Sequence, residues 1–366
     1  MKRWLSLLLV IVMVMSLLCG CGKQNDEGKE DVNPAASGEE AQALKVLIIG
    51  NGHSQDSFWH LNEIIATHGI PEGFTYEANE ITQVILGVMD YAGCYMYQHA
   101  SFAKNNSPVY TYYKSSYGMD GEETSWVTTQ DVDMKSVLTE EKWDIVVLQE
   151  MNMDKGIALD SYSTDTQSMI NHVKETLGYA PDFRWNMVWP NAEIPILDGQ
   201  EYKDKEWIYA TANPGGTWEY RMKEYFNNDA QTQHNMMVAY VDNYITGRYG
   251  ITGDKIVSTG SAVMYALNNL TLSGDAYSYL ANEQFIFRDY THLTDIGRVM
   301  VAYLWYAELF DLEQVEEIQY AEIAYDLQVV KTEDESAITL TDTQKAHIQE
   351  AVNATLADRR CAYTAH

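Results

Sequence analysis

Two stretches far apart in the chain hold side chains suited to acid–base chemistry. Asp289 and His292 stand three residues apart in Arg288-Asp289-Tyr290-Thr291-His292-Leu293-Thr294, just ahead of a strongly apolar helical pattern. A carboxylate that orients an imidazole, and an imidazole that takes a hydroxyl proton, are two of the three parts of a nucleophilic hydrolase. The hydroxyl would come from the other stretch, Gly50-Asn51-Gly52-His53-Ser54, where Ser54 is the candidate nucleophile and His53 could assist it. The bland alternative is that Asp289 caps a turn and His292 is a satisfied polar residue. A third reading is dinucleotide binding: Gly50-Asn51-Gly52 opens a GxGxxG fingerprint, with Glu77 or Glu80 as the ribose acid. Gln55 stands where the last glycine belongs, so that fingerprint is incomplete.

These residues meet only if the fold brings two distant segments to one edge. From Leu44 to Ile49 every residue but Lys45 is apolar, which reads as a strand buried on both faces. Gly50 and Gly52 allow a sharp turn, and Ser54 reads as the N-cap of a helix carrying Phe58, Leu61, Ile64 and Ile65. Strand, turn and helix in that order put the turn where open α/β sheets bind ligands. Further strands are expected at Phe74 to Glu80, Trp143 to Leu148, Arg184 to Trp189 and Lys255 to Ser258. Helices are expected at Asp165 to Leu177, Thr217 to about Thr246 with a break at Asn227-Asn228, Ser261 to Leu270, and after Thr294. Thr341 with Gln344 forms a capping-box pattern for a last helix, and residues 82–126, rich in aromatics, read as a long loop. Strands alternating with helices indicate a parallel, doubly wound sheet in a three-layer α/β/α domain.

A chain of 366 residues with 46% apolar content supports a substantial core, and its net charge of −29 argues against nucleic acid as a partner. Lys2 and Arg3 followed by apolar Trp4 to Leu18 look like a secretory signal. That segment ends Leu18-Cys19-Gly20-Cys21, which resembles a bacterial lipobox and implies cleavage before Cys21 and lipid attachment to its thiol. The expected organisation is a signal peptide at 1–20, a polar tether at 21–43, the α/β domain at 44–310 and an acidic extension at 311–366. Location would be the outer face of a bacterial membrane, held by the lipid. Cys94 and Cys361 offer no CxxC spacing for zinc, and neither a metal nor a cofactor is expected.

Several blocks together resemble the SGNH (GDSL-like) hydrolase superfamily, and within it a group of bacterial SGNH-like domains of unknown function. They are KVLIIGNGHSQDS at 45–57, AGCYMYQHASFAKNN at 92–106, SPVYTYYKSSYG at 107–118, WDIVVLQEMN at 143–152 and RDYTHLTDIGRVMVAYLWYAEL at 288–309. The resemblance implies a flavodoxin-like sheet and a Ser-His-Asp site acting on acyl esters of sugars, lipids or small molecules. It makes Asp289 and His292 the catalytic partners and Gly93 an oxyanion donor through its backbone N–H. The asparagine that closes the third block corresponds to Gln149 or Asn152. The family turn reads Gly-Asn-Ser-Phe-Ser with its first serine as nucleophile; here Gly52 occupies that position and has no side chain to attack with. Ser54 lies two residues on, a rotation of roughly 200° along a helix, and should not point where residue 52 points. The resemblance therefore leaves two functions open: an ester hydrolase, or a catalytically dead binding protein for carbohydrate or another extracellular ligand. In either, Tyr95, Tyr97, Trp185 and Trp189 would supply stacking rings, unless they are core; His99 reads as a packing residue.

Overall fold

Strand β1, Leu44–Gly50, is the centre of the molecule, with Val46, Leu47, Ile48 and Ile49 fully buried. Burying each such side chain contributes about 1.5–3 kcal/mol, so this run alone favours a two-sided sheet over any exposed arrangement. The structure, a computed structural model, describes residues 44–69, 71, 80–87, 95–118, 127–151, 162–193, 196–197, 200–201, 217–272, 279–319 and 340–358.

The other strands of the main sheet are β2 (Glu80–Gly87), β3 (Tyr110–Gly118), β4 (Val127–Val132), β5 (Ile145–Leu148), β6 (Asp182–Asn186) and β7 (Ile256–Val257). Their order is β4-β3-β2-β1-β5-β6-β7. β2, β1, β5, β6 and β7 run parallel, an order that is the flavodoxin-like 2-1-3-4-5 when those strands alone are counted. β3 and β4 extend the β2 edge antiparallel. The segment expected to be a long loop, residues 82–126, thus holds most of β2, a helix and all of β3, whose tyrosines pair as sheet rather than float over it. The second strand is described over Glu80–Gly87, and the expected stretch before it, residues 74–79, lies outside the described set.

The helices fall into two groups by their packing. One group comprises α1 (Gly52–Phe58), α2 (Leu61–His68), α8 (Thr259–Asn269), α10 (Asp295–Leu309) and α11 (Asp342–Ala357), which pack on one another. The other comprises α3 (Met96–Asn105), α4 (Met134–Leu138) and α5 (Tyr162–Leu177). α6 (Thr217–Phe226) and α7 (Ala230–Tyr240) come between α5 and α8 in sequence, and α9 (Tyr279–Ile286) between α8 and α10. Asn227 and Asn228 both take positive φ and break α6 from α7, as the sequence anticipates. α10 is buried on nearly every side, which suits a helix apolar all round.

The domain boundary expected at 310 is corrected by the packing. Val315, Ile318, Leu340, Ile348, Ala351 and Val352 join the main core, and α11 docks on α8 and α10. The acidic composition of 311–366 hid a sparse apolar stripe at helical spacing. The capping box that starts α11 is present, Thr341 and Gln344 bonding each other's backbone N–H.

Candidate active site

The carboxyl edge of β1 turns sharply at Gly50 because its neighbours leave no room for a side chain. A Cβ at Gly50 would overlap Ser54 Oγ and lie 2.7 Å from Gln149 Oε1. The following residue, Asn51, caps α1, accepting from the His53 backbone N–H at 3.0 Å, from His53 Nδ1 at 3.2 Å and from Gln149 Nε2 at 2.9 Å. Asn51 therefore takes the N-cap role expected of Ser54.

Ser54 is fully buried and gives its hydroxyl proton to Gln149 Oε1. No contact with His292 is present, so the candidate nucleophile faces the interior, as its rotation from residue 52 requires. Gln149 is also fully buried, and both its amide protons are committed, to Asn51 Oδ1 and to the Glu150 carbonyl, each at 2.9 Å. It buttresses the turn between β1 and β5 instead of presenting a donor to an oxyanion. Gly93, Asn152 and Cys21 lie outside the described residues.

The second stretch is a small hairpin closed by a Phe287–Leu293 bridge, with the Arg288 N–H donating to the His292 carbonyl at 2.9 Å. Inside it Asp289 Oδ1 accepts the backbone N–H groups of Thr291 (2.8 Å) and His292 (2.7 Å), an Asx-type turn. Oδ2 meets His292 Nδ1 at 2.8 Å. A carboxylate can only accept, so Nδ1 carries the proton and Nε2 is left as the acceptor. Burial pushes the Asp289 carboxyl up, but the His292 ring bond and the two backbone donors outweigh it and hold it below the usual range. Burial likewise pushes the His292 imidazole down, and the bond and charge of Asp289 more than reverse this, leaving it raised.

The two stretches meet. A Cβ at Gly52 would lie 2.9 Å from His292 Nε2 and 3.4 Å from Cδ2, across 240 residues of sequence. What holds them together is Asp56, one turn into α1 and 1% exposed. Its Oδ2 accepts the Leu293 N–H at 2.8 Å; its Oδ1 takes Arg298 Nε at 2.8 Å and Arg298 Nη2 at 2.7 Å, with Arg288 Nη2 at 3.3 Å. Arg298 reaches Asp295 as well, at 3.3 Å. Asp56, Arg288 and Arg298 were not singled out from the sequence. The available signal was an acid one turn after the glycine turn and an arginine in an otherwise apolar helix, both charges needing a buried partner.

His53 lies fully within the site wall, its ring 5.0 Å from Trp189 and 6.0 Å from His292. Its Nε2 is 3.0 Å from Thr291 Oγ1, and burial together with the His292 charge drives its pKa down to about 3. With both ring nitrogens engaged it is a neutral spacer, not an assistant base. His99 is buried against Tyr110, with Nδ1 3.0 Å from the phenol oxygen, a packing role. Tyr95, Trp185 and Trp189 are core; only Tyr97 of the four expected stacking rings is exposed, at 47% and stacked on Tyr95. That pair stands at the start of α3, where the Met96 N–H donates to Glu150 at 3.1 Å. Burial raises the Glu150 carboxyl to about 8. Among the described residues no cluster of His, Cys, Asp and Glu fits a metal ion.

Residues 45–185 match a family model described as "Domain of unknown function (DUF4886)". The match takes in the Gly50–Ser54 turn and Gln149 but ends before Asp289 and His292. A crystal structure of a DUF4886 family protein from Bacteroides uniformis ATCC 8492 is 21% identical, with a TM-score of 0.60 over 88% of this chain and 98% of that one. A second solved structure, described as "a putative SGNH hydrolase" from Slackia heliotrinireducens, is 14% identical, with a TM-score of 0.34 over 73% of this chain and 100% of that one. No curated protein matches. In its fold, and in sequence over residues 45–185, the chain is similar to the DUF4886 family, a domain of unknown function.

Proposed function

We propose that this chain is a lipid-anchored, extracytoplasmic hydrolase of the SGNH type that cleaves acyl esters, acylated carbohydrate among them. The observation that carries the reading is the Asp289–His292 pair, joined at 2.8 Å, with the imidazole tip directed at residue 52 and its side chain 34% exposed. A buried carboxylate holding one tautomer of a solvent-facing histidine is the arrangement of a general base. A second reading, ligand binding without catalysis, is favoured by one observation: the family's nucleophile position is Gly52, and Ser54 is turned away.

The pH dependence of hydrolysis separates the two. His292 works as a base only when neutral, so the rate on p-nitrophenyl acetate should rise with pH through an inflection above 6.5 and then level off. Asp289→Asn removes the charge that raises His292, so the inflection should move to lower pH while the plateau rate falls. Hydrolysis that ignores pH and Asp289, or none across a panel of short-chain esters, leaves only the binding reading.

The anchor rests on Leu18-Cys19-Gly20-Cys21 behind a charged, apolar segment. Fatty-acid metabolic labelling should mark the wild type, and Cys21→Ala should abolish the label. An unlabelled wild type would remove the lipid from the proposal.

A further inference from the structure

Glycine at position 52 is not there for its backbone. Its φ lies outside the left-handed region that favours glycine, and it is the first residue of α1. Its own helix apart, packing opposes a side chain there through His292 alone. A side chain at Gly50 would strike Ser54 and Gln149, whereas at Gly52 the sole atoms a Cβ would meet within 4 Å are Nε2 and Cδ2 of His292. What Gly52 provides is room in front of the imidazole.

That room is narrow: a side chain at residue 52 would press on the imidazole, its Cβ 2.9 Å from Nε2, and glycine leaves the tip open on that side. The hydroxyls nearby are occupied. Ser54 donates to Gln149; Ser57 donates to the His53 carbonyl at 2.8 Å and accepts from Asn186 at 3.1 Å; Thr291 Oγ1 pairs with His53 at 3.0 Å. Ser54 and Ser57 are fully buried, and Thr291 is 6% exposed. The imidazole tip therefore has solvent, and no protein hydroxyl, as its proton donor among the described residues.

We propose that water replaces the serine: a water molecule held at the Nε2 tip of His292, on the side that Gly52 leaves open, is activated by the Asp289–His292 pair and attacks the ester directly, with no acyl-enzyme. The inference rests on the hydrolase reading above. The water oxygen bonds to the acyl carbon as Nε2 takes one of its protons. The tetrahedral intermediate collapses, the bond from carbon to the alcohol oxygen breaks, and the departing alkoxide takes the proton back from Nε2. One water is consumed, one carboxylic acid and one alcohol leave, and His292 returns to neutral. Asp289 keeps Nδ1 protonated throughout and stabilises the imidazolium while it lasts.

The test uses the wild-type protein first. With a series of aryl acetates, pre-steady-state traces should show no burst, kcat should change with the leaving group, and a fluorophosphonate probe should leave the intact mass unchanged. A burst matching the protein concentration, or a fluorophosphonate adduct, means a covalent nucleophile; it overturns this inference and leaves the hydrolase reading standing. Absence of any His292-dependent hydrolysis removes the hydrolase reading and the water mechanism with it. Gly52→Ala then puts a methyl against the imidazole tip, where it closes the water's approach. It should cut kcat by at least about 100-fold, the scale of general-base catalysis, with the melting temperature unchanged. An active Gly52→Ala protein would overturn the proposal. Crystals of the wild type should show a water within hydrogen-bond reach of Nε2, absent in Gly52→Ala; His292 turned away from residue 52 in the wild type would count against it.

Discussion

Asp56→Ala is expected to destabilise the protein by about 3–5 kcal/mol, the cost of leaving a buried partner charge uncompensated. The charge left behind is the Arg298 guanidinium, 2% exposed, with Asp295 at 3.3 Å as its remaining ion-pair partner. The Leu293 N–H loses its acceptor at the same time. For a domain of this size the melting temperature should fall by roughly 5–15 °C. Urea titration with an unchanged m-value would show that stability, not the unfolded state, has moved. Replacing both partners, Asp56→Ala with Arg298→Met, should recover much of the loss, because no unpaired charge stays buried. A loss under about 1 kcal/mol for Asp56→Ala would mean that the network is not what ties α1 to α10. Because Asp56 also fixes the start of the α10 approach, hydrolysis should fall further than the unfolded fraction explains.

His292→Ala is expected to lower kcat/KM on p-nitrophenyl acetate by about 10²–10⁴-fold, the range for removal of a positioned general base. His292 is partly exposed and its ring bonds only to Asp289 among the described residues, so the variant should fold and melt close to the wild type. Ser54→Ala is the companion measurement. It leaves Gln149 Oε1 without its donor, an expected stability cost of about 1–3 kcal/mol, but should keep most of the hydrolytic rate. The opposite pattern, activity lost in Ser54→Ala and kept in His292→Ala, would refute the assignment of the base.

Much of the scaffold was legible because local rules decide it. An uninterrupted run from Val46 to Ile49 can only be satisfied between two layers, so β1 was readable to within one residue. The Asn227-Asn228 break and the Thr341/Gln344 capping box are likewise choices made within a few residues. Asp289 and His292 were readable as a pair because a three-residue spacing with an Asx turn is local too.

The rest was decided between segments. The tyrosine-rich strand β3, and β4 paired to it, owe their state to an edge at β2 that no local pattern reveals. α11 looked like an acidic tail because its few apolar residues matter only against α8 and α10. Ser54 looked like a cap and a nucleophile, and became neither once Asn51 and Gln149 closed around it. Sequence alone established that Gly52 cannot attack a carbonyl. Only the tertiary structure decided what faces it: His292 Nε2, brought there through Asp56, with no protein hydroxyl as its partner among the described residues.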